Sequence, residues 1–249
     1  MAKVCLQPNR QLNSMRVLNY LRVKIMTKKV ALLIAGCGVY DGAEIYETVL
    51  TLLRLDEHNA DYQFIAPDKP LAHVINHKTG EEVSDSQPGG AASRNLLVEA
   101  ARLARGEIIA LSAANPADYD AVILPGGFGV AKNFSTFASE GAACSVDLDV
   151  QAFVQAFHQA KKPIGLMCIT PAITAKLIQP GILCTIGKDA AVEDAMANMG
   201  LLHQNCLVDG IVVDDQHKVV TTPAYMQASR ITEAKAGIFK LVDKVLAMA

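Results

Sequence analysis

The chain has 249 residues, a hydrophobic content of 51% and a formal net charge of −2 at pH 7. A chain of this length can bury one large core, and the weakly acidic balance without a basic stripe argues against a nucleic-acid partner. Its apolar runs are too short to cross a bilayer, so we expect no membrane span. Six scattered cysteines without a Cys-x-x-Cys pair fit a reducing compartment and predict neither disulfides nor a metal site.

The first 25 residues differ in composition from the rest of the chain. They contain no acid and five basic residues, Lys3, Arg10, Arg16, Arg22 and Lys24. Such a leader is typical of an organelle-targeting segment, whereas a start at Met26 would make it an upstream extension. We predict an extension over residues 1–25, a single domain over residues 26–249 and a cytoplasmic location, with an organellar location as the alternative.

From Lys29 onward, short apolar runs alternate with longer segments of helical periodicity. This alternation predicts an α/β three-layer sandwich with a mostly parallel central sheet. Strands are predicted at residues 30–35, 62–66, 121–124, 163–167 and 183–186. Helices are predicted around residues 45–53 and at 95–105, 150–160, 191–199 and 227–247. Hairpins are expected at residues 74–83 and 210–222, and a mobile loop at residues 87–90.

The loop after the first strand, residues 36–44, contains three glycines and ends in Glu44. In open parallel sheets, ligands bind beyond the carboxyl ends of the strands, so this loop is a candidate site. Its Gly-x-Gly-x-x-x-Gly spacing does not match a dinucleotide fingerprint, and no Rossmann cofactor is predicted. A lone carboxylate in a first helical turn is ordinarily only a partner of the helix dipole.

A second glycine-rich loop, Pro125-Gly126-Gly127-Phe128-Gly129, follows the predicted strand at residues 121–124. Its backbone N–H groups lack side-chain cover and could cradle an oxyanion or a phosphate. A turn of this composition also occurs without any function.

A third loop places Cys168 between the predicted strand at residues 163–167 and Thr170-Pro171, which suit a helix N-cap and first turn. A thiol there lies near the positive end of a helix dipole, which favours the thiolate. This is the logic of a nucleophile elbow, although the Gly-x-Ser-x-Gly signature is absent, and a buried structural cysteine is the alternative. If the three loops converge, they form a minimal site for covalent catalysis.

Six segments of the chain closely resemble the ElbB family of the PfpI-like superfamily. They are GCGVYDG (36–42), APDK (66–69), VINH (74–77), LPGGFG (124–129), MCI (167–169) and TTPAYM (221–226). The resemblance extends from about Met26 to the C-terminus. It implies a flavodoxin-like fold related to class I glutamine amidotransferase domains, and a homodimer. It further implies a glyoxalase that converts glyoxal to glycolate without a cofactor.

The resemblance also implies the site residues. Cys168 corresponds to the reactive cysteine and Glu44 to the acid after the first strand. The N–H groups of Gly127 and Ile169 correspond to the oxyanion hole. Because Ile169 is bulky and no late His-x-Glu pair occurs, the resemblance does not extend to glutamine hydrolysis.

Further candidates for the site are less strongly indicated. No histidine directly follows Cys168, which leaves His203 as the candidate third residue, against an ordinary surface or core-edge histidine. Residues 128–147 form an insertion that we expect to cover the site, with Asn133 and Cys144 as neighbours.

Three alternatives to the glyoxalase hypothesis stay open. A deglycase acting on glyoxal adducts of proteins would use the same residues. A redox sensor would oxidise Cys168 to a sulfinic acid beside Glu44 and regulate a partner. A subunit of isoprenoid metabolism is implied by a label that the ElbB family carries, but the chain has no Asp-rich diphosphate motif.

Overall fold

A computed structural model describes residues 27–84, 90 and 93–249 of the chain. The extension predicted at residues 1–25 lies outside this part, as do positions 87–89 of the loop that the sequence predicts to be mobile.

Nine strands and seven helices are present in the described residues. The strands are β1 (Lys29–Leu33), β2 (Asp61–Ala66), β3 (Ile108–Ala110), β4 (Ala121–Leu124), β5 (Ile164–Met167), β6 (Leu183–Cys184), β7 (Leu202–His203), β8 (Val212–Asp214) and β9 (Val219–Thr222). The helices are α1 (Ile45–Glu57), α2 (Leu96–Ala100), α3 (Phe137–Glu140), α4 (Leu148–Gln159), α5 (Thr174–Leu177), α6 (Ala190–Asn198) and α7 (Ile231–Met248).

The central sheet has seven strands in the order β3-β2-β1-β4-β5-β9-β8. All neighbours in it are parallel except β8, which pairs antiparallel with β9 at one edge. Strands β6 and β7 form a separate parallel pair. This topology confirms the predicted α/β class. Because β1, β4 and β5 are parallel neighbours, their carboxyl ends lie on the same side of the sheet.

Side chains of the central strands point alternately into two core layers, as the period of two in a strand requires. Along β1, Ala31 and Leu33 pack with helix α4 on one face, while Val30 and Leu32 pack with α7 on the other. Strands buried on both faces read as unbroken apolar runs, which is the pattern that the sequence shows. The three-layer sandwich is therefore confirmed.

Gly165 in β5 lets helix α7 approach the sheet closely. A Cβ at this position would lie 2.9 Å from Leu241 Cδ2 and 3.1 Å from Val245 Cγ2. Helix α7 also meets α1 through Arg54, whose Nε and Nη2 donate to the Asp243 carboxylate at 2.7 and 2.9 Å. These contacts fix α1, which carries acidic residues of the site.

The structure differs from the predicted elements mainly at short segments. Strand β3 was not expected, because its three half-buried residues at the sheet edge are too few to show a period. The strand predicted at residues 183–186 ends at Cys184, since the N–H of Thr185 donates to the Thr221 hydroxyl at 2.9 Å instead of continuing the ladder. The hairpin predicted at residues 74–83 is confirmed by the bridge between Ile75 and Glu82.

Two absences apply to the described part of the chain. No helix there has both the length and the apolar character needed to span a membrane. No group of three or more His, Cys, Asp or Glu side chains within it is arranged to hold a metal ion.

Candidate functional site

Cys168 lies in a sharp turn directly after β5. Its φ of 60° is in the left-handed region, which is rarely adopted by residues other than glycine and is typical of a strained functional turn. The backbone N–H of Cys168 donates to the Thr222 carbonyl at 3.0 Å, which ties the turn to β9. The residue is 7% exposed. The backbone therefore has the geometry of the predicted nucleophile elbow.

The segment after Cys168 is not the helix start that we predicted. A four-residue 3-10 turn, Thr170–Ile173, precedes the single-turn helix α5. Thr170 does not cap a helix, because its hydroxyl donates to the Pro125 carbonyl at 3.0 Å. A dipole grows with the number of aligned peptide units, so this short segment offers the thiol little stabilisation.

Glu47, in the first turn of α1, is the carboxylate at the sulfur. Its side chain is fully buried and hydrogen-bonds to Cys168. Oε2 accepts from the N–H of Gly126 at 2.7 Å, and Oε1 accepts from the N–H of Tyr225 at 3.2 Å. Two backbone donors thus fix the carboxylate in place and compensate part of the cost of burying it.

The structure brings Glu47, and not Glu44, into hydrogen-bond contact with Cys168. Glu44 is the N-cap of α1, and its Oε2 accepts from the N–H of Glu47 at 2.6 Å. The capping bond holds the Glu44 carboxylate at the helix end, whereas Glu47, three residues further along in the first turn, faces the thiol. The acid at the reactive cysteine is therefore Glu47 and not Glu44, to which the resemblance assigned that role.

The expected oxyanion donors, Gly127 and Ile169, both have their backbone N–H groups at the Cys168 sulfur. Gly127 has a φ of 94°, and a Cβ there would lie 2.4 Å from the Gly42 carbonyl oxygen. Gly126 is equally constrained, since its Cβ would lie 2.4 Å from the Cβ of Cys168 and 2.9 Å from Glu47 Oε2. The two glycines allow the loop after β4 to approach the thiol and the carboxylate.

Burial dominates the ionisation of this pair. The pKa of Glu47 is raised to about 7, first by desolvation and then by the neighbouring charge of Glu44. The pKa of the Cys168 thiol is raised well above its ordinary value, first by desolvation and then by Glu47, although the N–H groups of Gly127 and Ile169 act in the opposite direction. The helix-dipole argument predicts a lowered pKa for Cys168, whereas burial raises it.

Cys168 opens onto a cavity of about 340 Å³. Apolar side chains form most of its wall, among them Val39, Phe128, Phe137, Val192, Tyr225 and Met226. Phe128 and Phe137 belong to the segment 128–147, which therefore covers the site as we expected. Among the described residues, Asp189 is the one charged residue of the lining.

The remaining candidates lie outside this cavity. Asn133 holds the loop after β1: its Nδ2 donates to the carbonyls of Ala35 and Asp41 at 3.3 and 2.8 Å. Cys144 is buried 4.0 Å from the Met199 sulfur. No histidine of the described chain lines the cavity.

His203 lies in the small sheet formed by β6 and β7. Its Nε2 accepts from the N–H of Ile186 at 3.3 Å, and its Nδ1 lies 3.9 Å from Glu193 Oε2. These contacts describe a histidine that supports the local backbone, which was the ordinary alternative considered for it.

A larger hollow of about 790 Å³ lies elsewhere, between the end of α4 and the turn that joins β8 to β9. It contains His158 and His217, whose ring nitrogens are 3.2 Å apart. Within the part of the chain that the structure describes, its lining has no cysteine, serine or threonine and thus no nucleophile comparable to Cys168.

Sequence reasoning missed Glu47, Tyr225 and Asp189 as members of the site. A signal for Glu47 exists, because residues three apart lie on the same side of a helix and Glu44 had already been selected. Tyr225 and Asp189 follow distant strands, and only the folded chain shows that they reach the same cavity.

The chain matches no family model, but individual proteins match it closely. The human protein named glutamine amidotransferase-like class 1 domain-containing protein 3, mitochondrial, is 42% identical over 250 residues, covering 97% of this chain and 91% of that protein. A crystal structure of an isoprenoid biosynthesis protein with amidotransferase-like domain from Ehrlichia chaffeensis has a TM-score of 0.82 at 33% identity, covering 89% of this chain and 99% of that one.

A more distant structure shares the fold alone. Glyoxalase III from Candida albicans superposes with a TM-score of 0.56 at 13% identity, covering 89% of this chain and 97% of that one. The chain belongs to the family of glutamine amidotransferase-like class 1 domain-containing proteins, as its resemblance to the amidotransferase-like ElbB proteins predicted.

Proposed function

We propose that the protein is a cofactor-independent glyoxalase that converts a small dicarbonyl such as glyoxal to the hydroxy acid, glycolate. The observation that carries this proposal is the Cys168 thiol, which opens onto a largely apolar cavity beside the N–H groups of Gly127 and Ile169 and has the buried Glu47 carboxylate behind it. A base, a nucleophile and an oxyanion site are the groups that addition to an aldehyde requires.

The first step is the addition of sulfur to one aldehyde carbon. The Glu47 carboxylate takes the thiol proton as Cys168 Sγ forms the carbon–sulfur bond. The oxygen of that aldehyde becomes an oxyanion held by the N–H groups of Gly127 and Ile169, and it receives the proton from Glu47 to give a hemithioacetal. A base with a pKa of about 7 suits this task near neutral pH.

The second step moves a proton between the two carbons. Glu47 removes the proton from the carbon that carries sulfur, which gives an enediol, and a proton is then delivered to the neighbouring carbon. The first carbon is thereby oxidised to a thioester and the second is reduced to a hydroxymethyl group. Water cleaves the thioester, releases glycolate and restores the thiol. The net change is the addition of one water, so the reaction needs no external oxidant or cofactor.

The fold likeness to glyoxalase III supports the reaction class. A deglycase acting on glyoxal adducts of proteins would use the same thiol and carboxylate and is our second candidate. A redox sensor is less favoured, because oxidation follows thiolate character and exposure, and the Cys168 thiol is buried with a raised pKa.

The test is glycolate formation from glyoxal, followed by NMR in D₂O for the wild-type protein and Cys168→Ala. Proton transfer through Glu47 predicts glycolate with deuterium bound to carbon, and no glycolate from the variant. Direct hydride transfer between the two carbons would leave that carbon free of deuterium and contradict the mechanism. Glycolate formed equally by both proteins would contradict the proposal itself.

We further propose that the protein acts in mitochondria and that residues 1–25 direct it there. The human relative is named as mitochondrial, and the leader of this chain is basic and free of acids. This proposal takes the place of the cytoplasmic location that we expected from the sequence. Fusion of residues 1–25 to a fluorescent protein in eukaryotic cells tests it, with Arg10, Arg16 and Arg22 changed to Ser as the control.

We also retain the homodimer as a proposal. Its basis is the superfamily resemblance, and helix α1 leaves Ile45, Tyr46, Val49 and Leu53 between 40% and 52% exposed in the single chain. Analytical ultracentrifugation tests it, and a single species with the mass of one chain would contradict it.

A further inference from the structure

We propose that the cavity in front of Cys168 selects its substrates by charge, and that Asp189 makes it accept neutral or cationic aldehydes and exclude anionic ones. This inference names the substrate class for the proposed glyoxalase and rests on that function. Its central observation is that Asp189 contributes the single formal charge to the lining, within the residues that the structure describes.

Asp189 stands at the start of α6, beside the cavity. Its Oδ1 accepts from the N–H of Val192 at 3.1 Å, which caps the helix, while Oδ2 has no partner in the described part of the chain. Asp189 is exposed, so the unpartnered oxygen faces no desolvation and its charge acts on molecules that enter.

Three further acidic residues near the cavity add to the negative charge of Asp189. Glu47 lies behind the sulfur, Glu44 raises the pKa of Glu47 through its charge, and Glu193 follows one turn after Asp189. An anion that reaches the thiol therefore approaches several carboxylates. Because Asp189 is exposed, water screens part of its charge, so the expected discrimination against an entering anion is moderate.

The nearby cations do not line the cavity. Lys132 donates to the Tyr40 carbonyl at 2.9 Å, and its Nζ lies 5.5 Å from the centroid of the Phe128 ring. Lys188 is exposed and adjacent to Asp189 in sequence but is not part of the lining. An entering anion thus finds no positive side chain at the cavity wall, within the described chain.

The negative charge at the cavity acts on both the substrate and the product. Glyoxal and other uncharged dicarbonyls enter without a penalty, and a carbonyl compound with an ammonium or guanidinium group is attracted. A 2-oxo acid or a phosphorylated aldehyde is repelled. The carboxylate product, which carries a negative charge that the substrate lacks, is expelled by the same field.

The test measures how fast cationic and anionic reagents reach Cys168, and it does not require turnover of a substrate. The purified full chain is treated with 2-aminoethyl methanethiosulfonate, which is cationic, or 2-sulfonatoethyl methanethiosulfonate, which is anionic. The rate of disulfide formation at Cys168 is followed by peptide mass spectrometry and divided by the rate of each reagent with a small free thiol. We expect the wild-type ratio of cationic to anionic reagent to exceed one and to fall about three- to tenfold in Asp189→Asn.

Asp189→Asn is informative because asparagine caps helices as well as aspartate does, so the charge is removed while the cap is kept. Asp194→Asn, on the same helix and outside the lining, is the matched control and should leave the ratio unchanged. A wild-type ratio of one or less would overturn the inference, as would a ratio that Asp189→Asn does not lower.

Failure of this inference differs from failure of the proposed function. The modification of Cys168 needs no glyoxal, so a chain that forms no glycolate can still show charge selection. A chain that forms glycolate with an unselective cavity would retain the function and lose the inference.

Discussion

Cys168 and Cys184 are both buried thiols at the ends of strands, yet their surroundings differ. Cys184 is fully buried in the core, and desolvation, with the nearby charge of Asp214, raises its pKa to about 12. Cys168 shares the burial and the raised pKa but has a left-handed backbone, a hydrogen-bonded carboxylate and two N–H groups at its sulfur.

Burial raises the pKa of both thiols, but Cys168 also has at its sulfur the Glu47 carboxylate, which can accept its proton. The Asp214 carboxylate near Cys184 accepts from the N–H of Leu183 and from the N–H of His217, both at 2.9 Å. Glu47 is engaged by backbone donors too, but it also contacts the thiol that it is proposed to deprotonate.

The largest expected effect separates the two thiols directly. Cys168→Ala should reduce glycolate formation to the background of the uncatalysed reaction, because the nucleophile is gone. Cys184→Ala should keep the activity and cost about 1 kcal/mol of unfolding free energy through the cavity that it leaves. Activity assays and urea unfolding of both variants check this. Loss of activity in Cys184→Ala with intact folding would remove the distinction.

Replacing the base tests what makes Cys168 different. Glu47→Gln should lower kcat by about 10²- to 10⁴-fold, the usual contribution of a general base. Glu44→Gln is the control, because Glu44 caps α1 and does not bond the sulfur; it should cost mainly unfolding free energy, about 0.5–2 kcal/mol. A larger loss of kcat in Glu44→Gln than in Glu47→Gln would return the catalytic role to Glu44.

The raised pKa of Glu47 also predicts how stability depends on pH. The folded state keeps a proton that the unfolded chain releases between the ordinary pKa of 4.5 and about 7, so the free energy of unfolding falls as pH rises through this window. The loss attributable to Glu47 is about 3 kcal/mol. It appears as the difference between wild type and Glu47→Gln in urea unfolding at about pH 4 and about pH 8. Parallel profiles would contradict the raised pKa.

The smallest effect is expected in the pH dependence of the rate. Because Glu47 must be ionised to accept the thiol proton, kcat/KM should fall about tenfold per pH unit below about 7 and level off above it. A rate that is flat from acid to neutral pH would indicate a thiolate formed in advance, as the helix-dipole argument had suggested for Cys168.

The fold was largely predictable, because the strands of a parallel sheet that is buried on both faces consist of continuous apolar runs, such as that of β1. The elbow was predictable too, since Thr170 and Pro171 mark a change of direction after β5. The identity of the base was not. Choosing between Glu44 and Glu47 depends on where α1 begins, because the carboxylate at the N-cap is engaged by the helix and the one three residues later faces the thiol.

The pKa of Cys168 was predicted to be lowered, whereas burial raises it, and the reason for the difference is similar. Sequence shows that a helix can follow the cysteine, but not that a 3-10 turn comes first and that α5 ends after one turn. Nor does it show that Glu47 lies against the sulfur. Both depend on packing between elements distant in the chain.

The most direct test of the account is an absorbance titration of the Cys168 thiolate, taken as the difference between wild type and Cys168→Ala and repeated in the Glu47→Gln background. In the wild-type protein, the thiolate signal should appear only above the ordinary thiol pKa of about 8.5. In the Glu47→Gln background, where the negative charge beside the sulfur is absent, the signal should appear at lower pH. A thiolate already complete at neutral pH, with the same titration in both backgrounds, would contradict the account.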